Sequence, residues 1–282
     1  MNRKMRDNIL RGIIYLTAFA GMFMMVAVLW EVIQRGWPAL SLEFLLQPSS
    51  NFGAEGGLLY QTLGTIILMA GAVLIGFPVA LGSALFQTEY VRSEQVKTFF
   101  RAIIFSLNAV PTILFGLAGY LFFGVYLATG VSWLTGALIL AIMILPTIQA
   151  SIQSAIECLP EKYREVGMAL GLTPWALARR VVLPQCWYGA VTGALLGLAR
   201  AAGETAAIMF TAAAFSGATW PRSFADPVPT LQTHILVLAQ DSADAVSQTN
   251  AWGAALVLLM IVFILILTSL VVRSRFSMEA QR

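Results

Sequence analysis

The chain has 282 residues, 59% of them apolar and 11% charged. Soluble domains carry about 25% charged residues, so this composition excludes a water-soluble globule and leaves no room for a soluble domain of any size. A formal net charge of +3 would suit nucleic acid, but the positions of the charges fit a membrane protein better. Cys158 and Cys186 lack zinc spacing and have no histidine nearby, which makes them reduced bystanders near the cytoplasmic side.

Arg3, Lys4 and Arg6 precede an apolar run that is too long for a signal peptide, and residues 31–37 offer no small-residue cleavage site. The run reads as a retained first span. Six runs reach the length of roughly 20 residues that crosses a bilayer: 9–32, 59–86, 99–125, 133–152, 187–215 and 252–272. Alternating them across the membrane puts 14 of the 17 Lys and Arg on one side, from Arg3 through Arg92 and Arg180 to Arg282. The other side holds only Arg35 and Arg222, and Arg200 lies within a span. Such a split marks the positive side as cytoplasmic, with both termini on it. Trp30, Trp37, Trp133, Trp187 and Trp252 lie near run ends, as interfacial aromatics do. The expected fold is therefore all-α, with six transmembrane helices. Residues 1–58 supply the first helix and a periplasmic loop, and residues 59–282 a five-helix core.

The loops expected outside are 34–58, 128–132 and 216–250. Gly53, Gly56 and Gly57 permit tight turns in the first. The last holds Pro221, Pro227 and Pro229, then an apolar stretch, 231–239, too short to span and expected at the interface. It contains His234, the lone histidine, to which no role is assigned. Pro78, Pro111 and Pro146 fall inside spans two, three and four, where each removes a backbone hydrogen bond. They read either as packing kinks or as breaks lining a substrate path. Polar neighbours favour the path reading: Asn108 and Thr112 flank Pro111, and Thr147 follows Pro146.

Near the middle of run 187–215 stand Arg200 and Glu204. A charge at the bilayer centre costs about 3 kcal/mol on insertion scales, and Arg200 is too far from either end of its run to snorkel. Spacing i,i+4 would place the two on one helix face, where they can pair. One reading is a neutralised pair that holds helices together. The other is a guanidinium set at the midplane to meet an anion, balanced by a carboxylate.

The longest cytoplasmic segment, 157–184, reads as two short helices meeting at a turn. Pro160 and Pro174 suit first turns, Thr173 is a good N-cap, and Gly171 suits a helix end. Tyr163, Val166, Met168, Leu170 and Leu172 give an apolar spacing on which a partner could dock.

Glu165, Gly171, Leu183 and Pro184 stand at the spacing of the docking loop of the permease subunits of bacterial ABC importers, which this chain resembles. Val166 and Gly167 replace that family's two alanines. The stretch Ala199-Arg200-Ala201-Ala202-Gly203-Glu204-Thr205-Ala206 resembles the signature of phosphate-specific permeases, closest to the PstA type. Residues 108–112, Leu145-Pro146 and 57–65 share the likeness. Ala207 stands where proline is common, and Gln153-Ser154 where acidic residues are common. The resemblance implies a type I importer permease that moves inorganic phosphate across the bacterial inner membrane. Arg200, Glu204, Thr205, Asn108 and Thr112 would line the path, and Glu165, Gly171, Leu183 and Pro184 would couple to the ATPase. The implied partners are a PstC-type second permease, two PstB-type ATPase subunits and a PstS-type periplasmic binding protein. No nucleic acid is expected, and no cofactor on this chain, ATP and magnesium belonging to the ATPase. The chain itself has no Walker-type motif, so it is read as non-catalytic. An importer permease for another oxyanion or small solute remains open, as does a membrane enzyme using Glu204 with Arg200.

Overall fold

The computed structural model describes residues 3–50, 55–214, 220–240 and 245–279. The side chains of Arg3, Lys4, Arg6 and Arg275, together with Gly53, Phe215 and Arg282, lie outside the described residues. Helix α1, Arg3–Gly36, is apolar on all sides, and its spanning stretch is fully exposed in the isolated chain. A helix hydrophobic all round belongs in lipid. It leans on the last helix of the fold. A short helix α2, Leu42–Leu46, follows, capped by Ser41, whose Oγ accepts from the Phe44 amide at 3.0 Å. Strand β1, Ser49–Ser50, pairs antiparallel with β2, Glu55–Gly56, with Ser49 opposite Gly56.

The bundle proper begins with α3, Leu59–Leu85, which runs into a π-helical turn at Phe86–Tyr90. It continues with α4, Glu94–Ala109, and α5, Thr112–Gly119, the latter prolonged by a π-helical turn at Tyr120–Tyr126. Next comes α6, Trp133–Glu157, whose first turn is capped by Ser132. The segment between α6 and α10 holds α7, Glu161–Ala169, then α8, Pro174–Leu177, and α9, Leu183–Gln185. The chain returns through α10, Trp187–Ala202, and α11, Ala206–Thr211, and ends with α12, Leu231–Gln240, and α13, Ala245–Glu279.

Helices α3, α6 and α10 form the centre. Leu68, Ile144, Ile148 and Ile208 are buried there among Ala72, Ala80, Ala137 and Ala201. Small residues let helix backbones approach closely where lipid offers no hydrophobic drive to associate. Four helices among the described residues are long and apolar enough to cross a membrane, and up to six if each of two bent pairs counts as one span.

Of the two readings of the prolines, Pro111 takes the break. Run 99–125 is two helices meeting at 94°. Pro111 has no amide to donate and pushes its predecessor away from helical angles, so α4 stops at Ala109. Pro78 and Pro146 stay inside continuous helices. Run 187–215 is not one helix either: α10 ends at Ala202, and α11 starts only at Ala206. Where α10 meets the preceding 174–185 segment, the chain bends by 68°.

The stretch 231–239 packs inward: it folds back as α12 against α13 and α3, with Leu231, Gln232, Thr233, His234 and Leu238 buried. Non-helical backbone at membrane depth survives only where protein satisfies it. Here the Thr65 hydroxyl accepts from the Leu231 amide at 2.9 Å.

Candidate functional site

Three helix irregularities converge on one guanidinium. Arg200 sits in the last turn of α10. Its Nη1 donates to Asn108 Oδ1 at 3.0 Å and to Thr147 Oγ1 at 3.2 Å. Asn108 lies in the last turn of α4, just before the break at Pro111, and Thr147 follows Pro146 in α6. The sequence separations are 92 and 53 residues, so only the fold brings these groups together. Nε and Nη2 of Arg200 make no hydrogen bond among the described residues. One whole edge of the fork is therefore open, and it is the edge that binds carboxylate or phosphate in bidentate fashion.

The expected pairing of Arg200 with Glu204 along a helix face is not formed. No ion pair among the described residues joins them. The cause is the helix end between them: the Gly203 amide turns back to the Arg200 carbonyl at 3.1 Å and the Glu204 amide to that of Ala201 at 3.2 Å. Glu204 is carried off the helix face and stands near Thr112, the first residue of α5, still within electrostatic reach of Arg200 though not in contact with it. Thr205 is the N-cap of α11, with no side-chain cap bond. Arg200 thus gathers Asn108 and Thr147, while Glu204 stands by Thr112.

The break after Ala202 leaves helix carbonyls without partners, and α12 supplies one. Gln232 Nε2 donates to the Ala202 carbonyl at 2.6 Å, and its Oε1 accepts from Thr65 at 3.3 Å. Sequence reasoning misses Gln232, because nothing local reveals that a loop returns beneath the site. Thr147 was within reach, as the polar neighbour of a proline.

The segment between α6 and α10 forms the expected hairpin. Gly171 adopts φ +76. The Leu172 amide reaches the Gly167 carbonyl at 3.1 Å and the Gly171 amide that of Met168 at 2.9 Å, the paired bonds of a Schellman end. Thr173 caps α8, accepting from the Ala176 amide at 3.3 Å. Gly167, which replaces an alanine of the familiar pattern, is buried where a Cβ would collide with Leu177. The departure is therefore a close-packing device between α7 and α8. Tyr163, Val166, Met168, Leu170 and Trp175 are exposed. Glu165 stands exposed on α7, Leu183 is half-buried and Pro184 exposed in α9.

One anchoring group was invisible in the sequence. Arg164 Nε and Nη2 grip Glu89 at the end of α3, the closest contact being 2.9 Å. Its Nη1 meets Glu161 at 3.1 Å, and its remaining bonds go to the carbonyls of Ile156 and Leu159. Both side chains of the main pair are withdrawn from solvent, Arg164 to 15% and Glu89 to 6% exposure. Its hydrogen bond with Glu89 holds the Arg164 guanidinium above its ordinary value, against the opposing effect of burial.

A multi-pass helical protein with broken spans and a projecting helical hairpin has the architecture of a type I ABC importer permease. The family model of the binding-protein-dependent transport system inner membrane component matches residues 72–278, and the chain belongs to that family. Two solved structures share its fold. One is a bacterial alginate ABC transporter in complex with an alginate-bound periplasmic protein: 14% identity, TM-score 0.65, covering 94% of this chain and 93% of that one. The other is the inward-facing MetNI methionine ABC transporter: 18% identity, TM-score 0.57, covering 77% and 94%. Among similar proteins, the probable ABC transporter permease YqgI of Bacillus subtilis is 30% identical, over 93% of this chain and 94% of its own length. The phosphate transport permease PstA of Pasteurella multocida is 31% identical over 74% and 75%, and PstA 2 of Mycobacterium tuberculosis 34% identical over 84% and 76%. Within the family the chain is thus a PstA-type permease.

Proposed function

We propose that this chain is a transmembrane subunit of an ATP-driven importer that carries inorganic phosphate into the cell, with Arg200 as the group that meets the anion. One observation carries the reading. Arg200 is anchored through a single nitrogen, leaving its Nε–Nη2 edge open. In Arg164 of the same chain that edge holds the two oxygens of a carboxylate, so Glu89 there stands in for the anion Arg200 would receive. Asn108 and Thr147 fix the guanidinium plane, which spares the rotamer freedom that a free arginine would lose on binding. Glu204, beside Thr112, accepts the proton of hydrogen phosphate. A fully ionised sulfate would leave that acceptor unpaired and be repelled by it.

The subunit hydrolyses nothing itself. ATP and magnesium belong to two PstB-type ATPases, which grip the hairpin through the surface around Glu165 and Gly171, with Leu183 and Pro184 setting its return to the membrane. A PstC-type permease completes the path and a PstS-type periplasmic protein delivers phosphate. Both termini face the cytoplasm. The test is radiolabelled phosphate uptake, with and without sulfate, measured beside the amount of assembled complex. Arg200→Gln with Glu204→Gln removes both charges together. The expected outcome is assembly without uptake, and insensitivity of the wild type to sulfate. Near-normal uptake by the double variant would reduce Arg200 to a structural group.

A further inference from the structure

A small cavity opens between α4 and α6 on the cytoplasmic side of Arg200. Asn108, which holds Arg200, lines one end, and Arg101, Gln87 and Gln153 line the other. Those last three residues also line a cleft of about 550 Å³ that carries Arg92 and Lys97. The cavity therefore adjoins a cleft of mixed charge, lined by Arg92, Lys97, Arg101 and Arg164 beside Glu89, Glu157 and Glu161. Between the ends sits Gln149, 2% exposed, whose amide has no hydrogen-bond partner among the described residues; its Oε1 is fully enclosed. Buried polar groups are almost always paired, and an orphan asks for an explanation. Gln149 lies on the same α6 face as Pro146 and Gln153, by the i,i+3 and i,i+4 rule of helix faces.

We infer that Gln149, with Gln87, Gln153 and Arg101, forms a second oxyanion station through which phosphate leaves Arg200 for the cytoplasm. The inference rests on the reading of Arg200 as the phosphate-binding group. A primary amide both donates and accepts, so it suits an ion that carries bare oxygens and a P–OH together. It is neutral, and a path needs sites attractive enough to enter yet weak enough to leave. The cavity measures about 60 Å³, against roughly 30 Å³ for one water of the liquid. It is a narrow waist, where the ion sheds water and the amides replace it. Arg101 stands half-exposed at the mouth, 3.4 Å from Glu157. Gln153 donates to the same Glu157 oxygen at 2.9 Å, so Arg101 and Gln153 hold the carboxylate between them and Arg101 offsets its charge.

The test uses the complete importer reconstituted in vesicles, with transport normalised to assembled complex. Gln149→Leu keeps the volume and removes the amide; Arg101→Glu reverses the charge at the mouth. Each should lower phosphate transport by about ten-fold. In a second measurement Gln153→Cys, with Cys158→Ser, is labelled from the cytoplasmic side by a negatively charged thiol reagent. Phosphate should slow the labelling and sulfate should not. Full transport by Gln149→Leu, or labelling indifferent to phosphate, overturns the station. If Gln149→Leu fails to assemble, the labelling decides alone. A wild-type complex that carries no phosphate overturns instead the reading on which the inference stands, so the two failures are distinguishable.

Discussion

At the scale of single residues, two glycines of the hairpin separate space from backbone conformation. A Cβ at Gly167 would collide with Leu177, whereas at Gly171 nothing lies within 4 Å and only φ +76 resists a side chain. Gly167→Ala should therefore cost about 0.5–1.5 kcal/mol, the cost of turning the end of the Leu177 side chain off its rotamer, and Gly171→Ala about 1–2 kcal/mol by left-handed strain. Leu177→Ala should rescue the first and leave the second unchanged, as read by thermal denaturation of the purified subunit and co-purification of the ATPase. Both glycines were legible in part. Gly171 announced a helix end, but the reason for Gly167 lies ten residues away and is steric. Arg200 was legible as a charge in an apolar run. Its partners were not: a continuous helix was assumed through Gly203, and with it a contact to Glu204 that the helix end removes. Gln149 and Gln232 lower the hydropathy of their stretches, but they carry no charge that would single them out as site residues.

At the scale of elements, the straight spans α1, α3, α6 and α13 follow from run length, since nothing inside them forbids a helix except Pro78 and Pro146, which neighbouring protein tolerates. The break at Pro111 was one of two readings, but that within 187–215 was harder to see, because only Gly203, Glu204 and Thr205 interrupt residues that are apolar on both sides. Composition reports solvent and not backbone angle. The link between α7 and the bundle is likewise long-range: Arg164 and Glu89 are 75 residues apart. Removing one member of a buried pair costs about 3–5 kcal/mol, because the other charge is left uncompensated. Arg164→Ala and Glu89→Leu should each lower the thermal midpoint sharply, and the double variant Arg164→Met with Glu89→Leu should recover much of the loss. A double variant no better than the singles would show that the bonds to Ile156 and Leu159 matter more than the ion pair.

At the scale of the whole molecule, the charge split and the bent pairs make a joint claim about sidedness. Counting the α4–α5 pair as one crossing, and α10 with its continuation as another that leaves the 174–185 limb outside the span, keeps the alternation that puts Arg92 and Arg180 on one side and Arg222 on the other. Reporter fusions after Arg92 and Arg180 should read cytoplasmic, and one after Arg222 periplasmic; a cytoplasmic signal there would overturn the six-crossing topology. The guanidinium of Arg164 then acquires a mechanical meaning. It clamps the handle formed by α7 to the cytoplasmic end of α6 at the Ile156 and Leu159 carbonyls, and the same rod carries Thr147. Nine residues of helix separate Thr147 from Ile156, a lever arm of about 14 Å, so a tilt of about 5° about the clamp swings Thr147 through about 1 Å. That is enough stroke to prise open the 3.2 Å bond to Arg200. With the clamp slackened by Arg164→Ala, torque on the handle is lost before it reaches the rod. The ATP consumed per phosphate carried should then rise, even after correction for the amount of complex that survives.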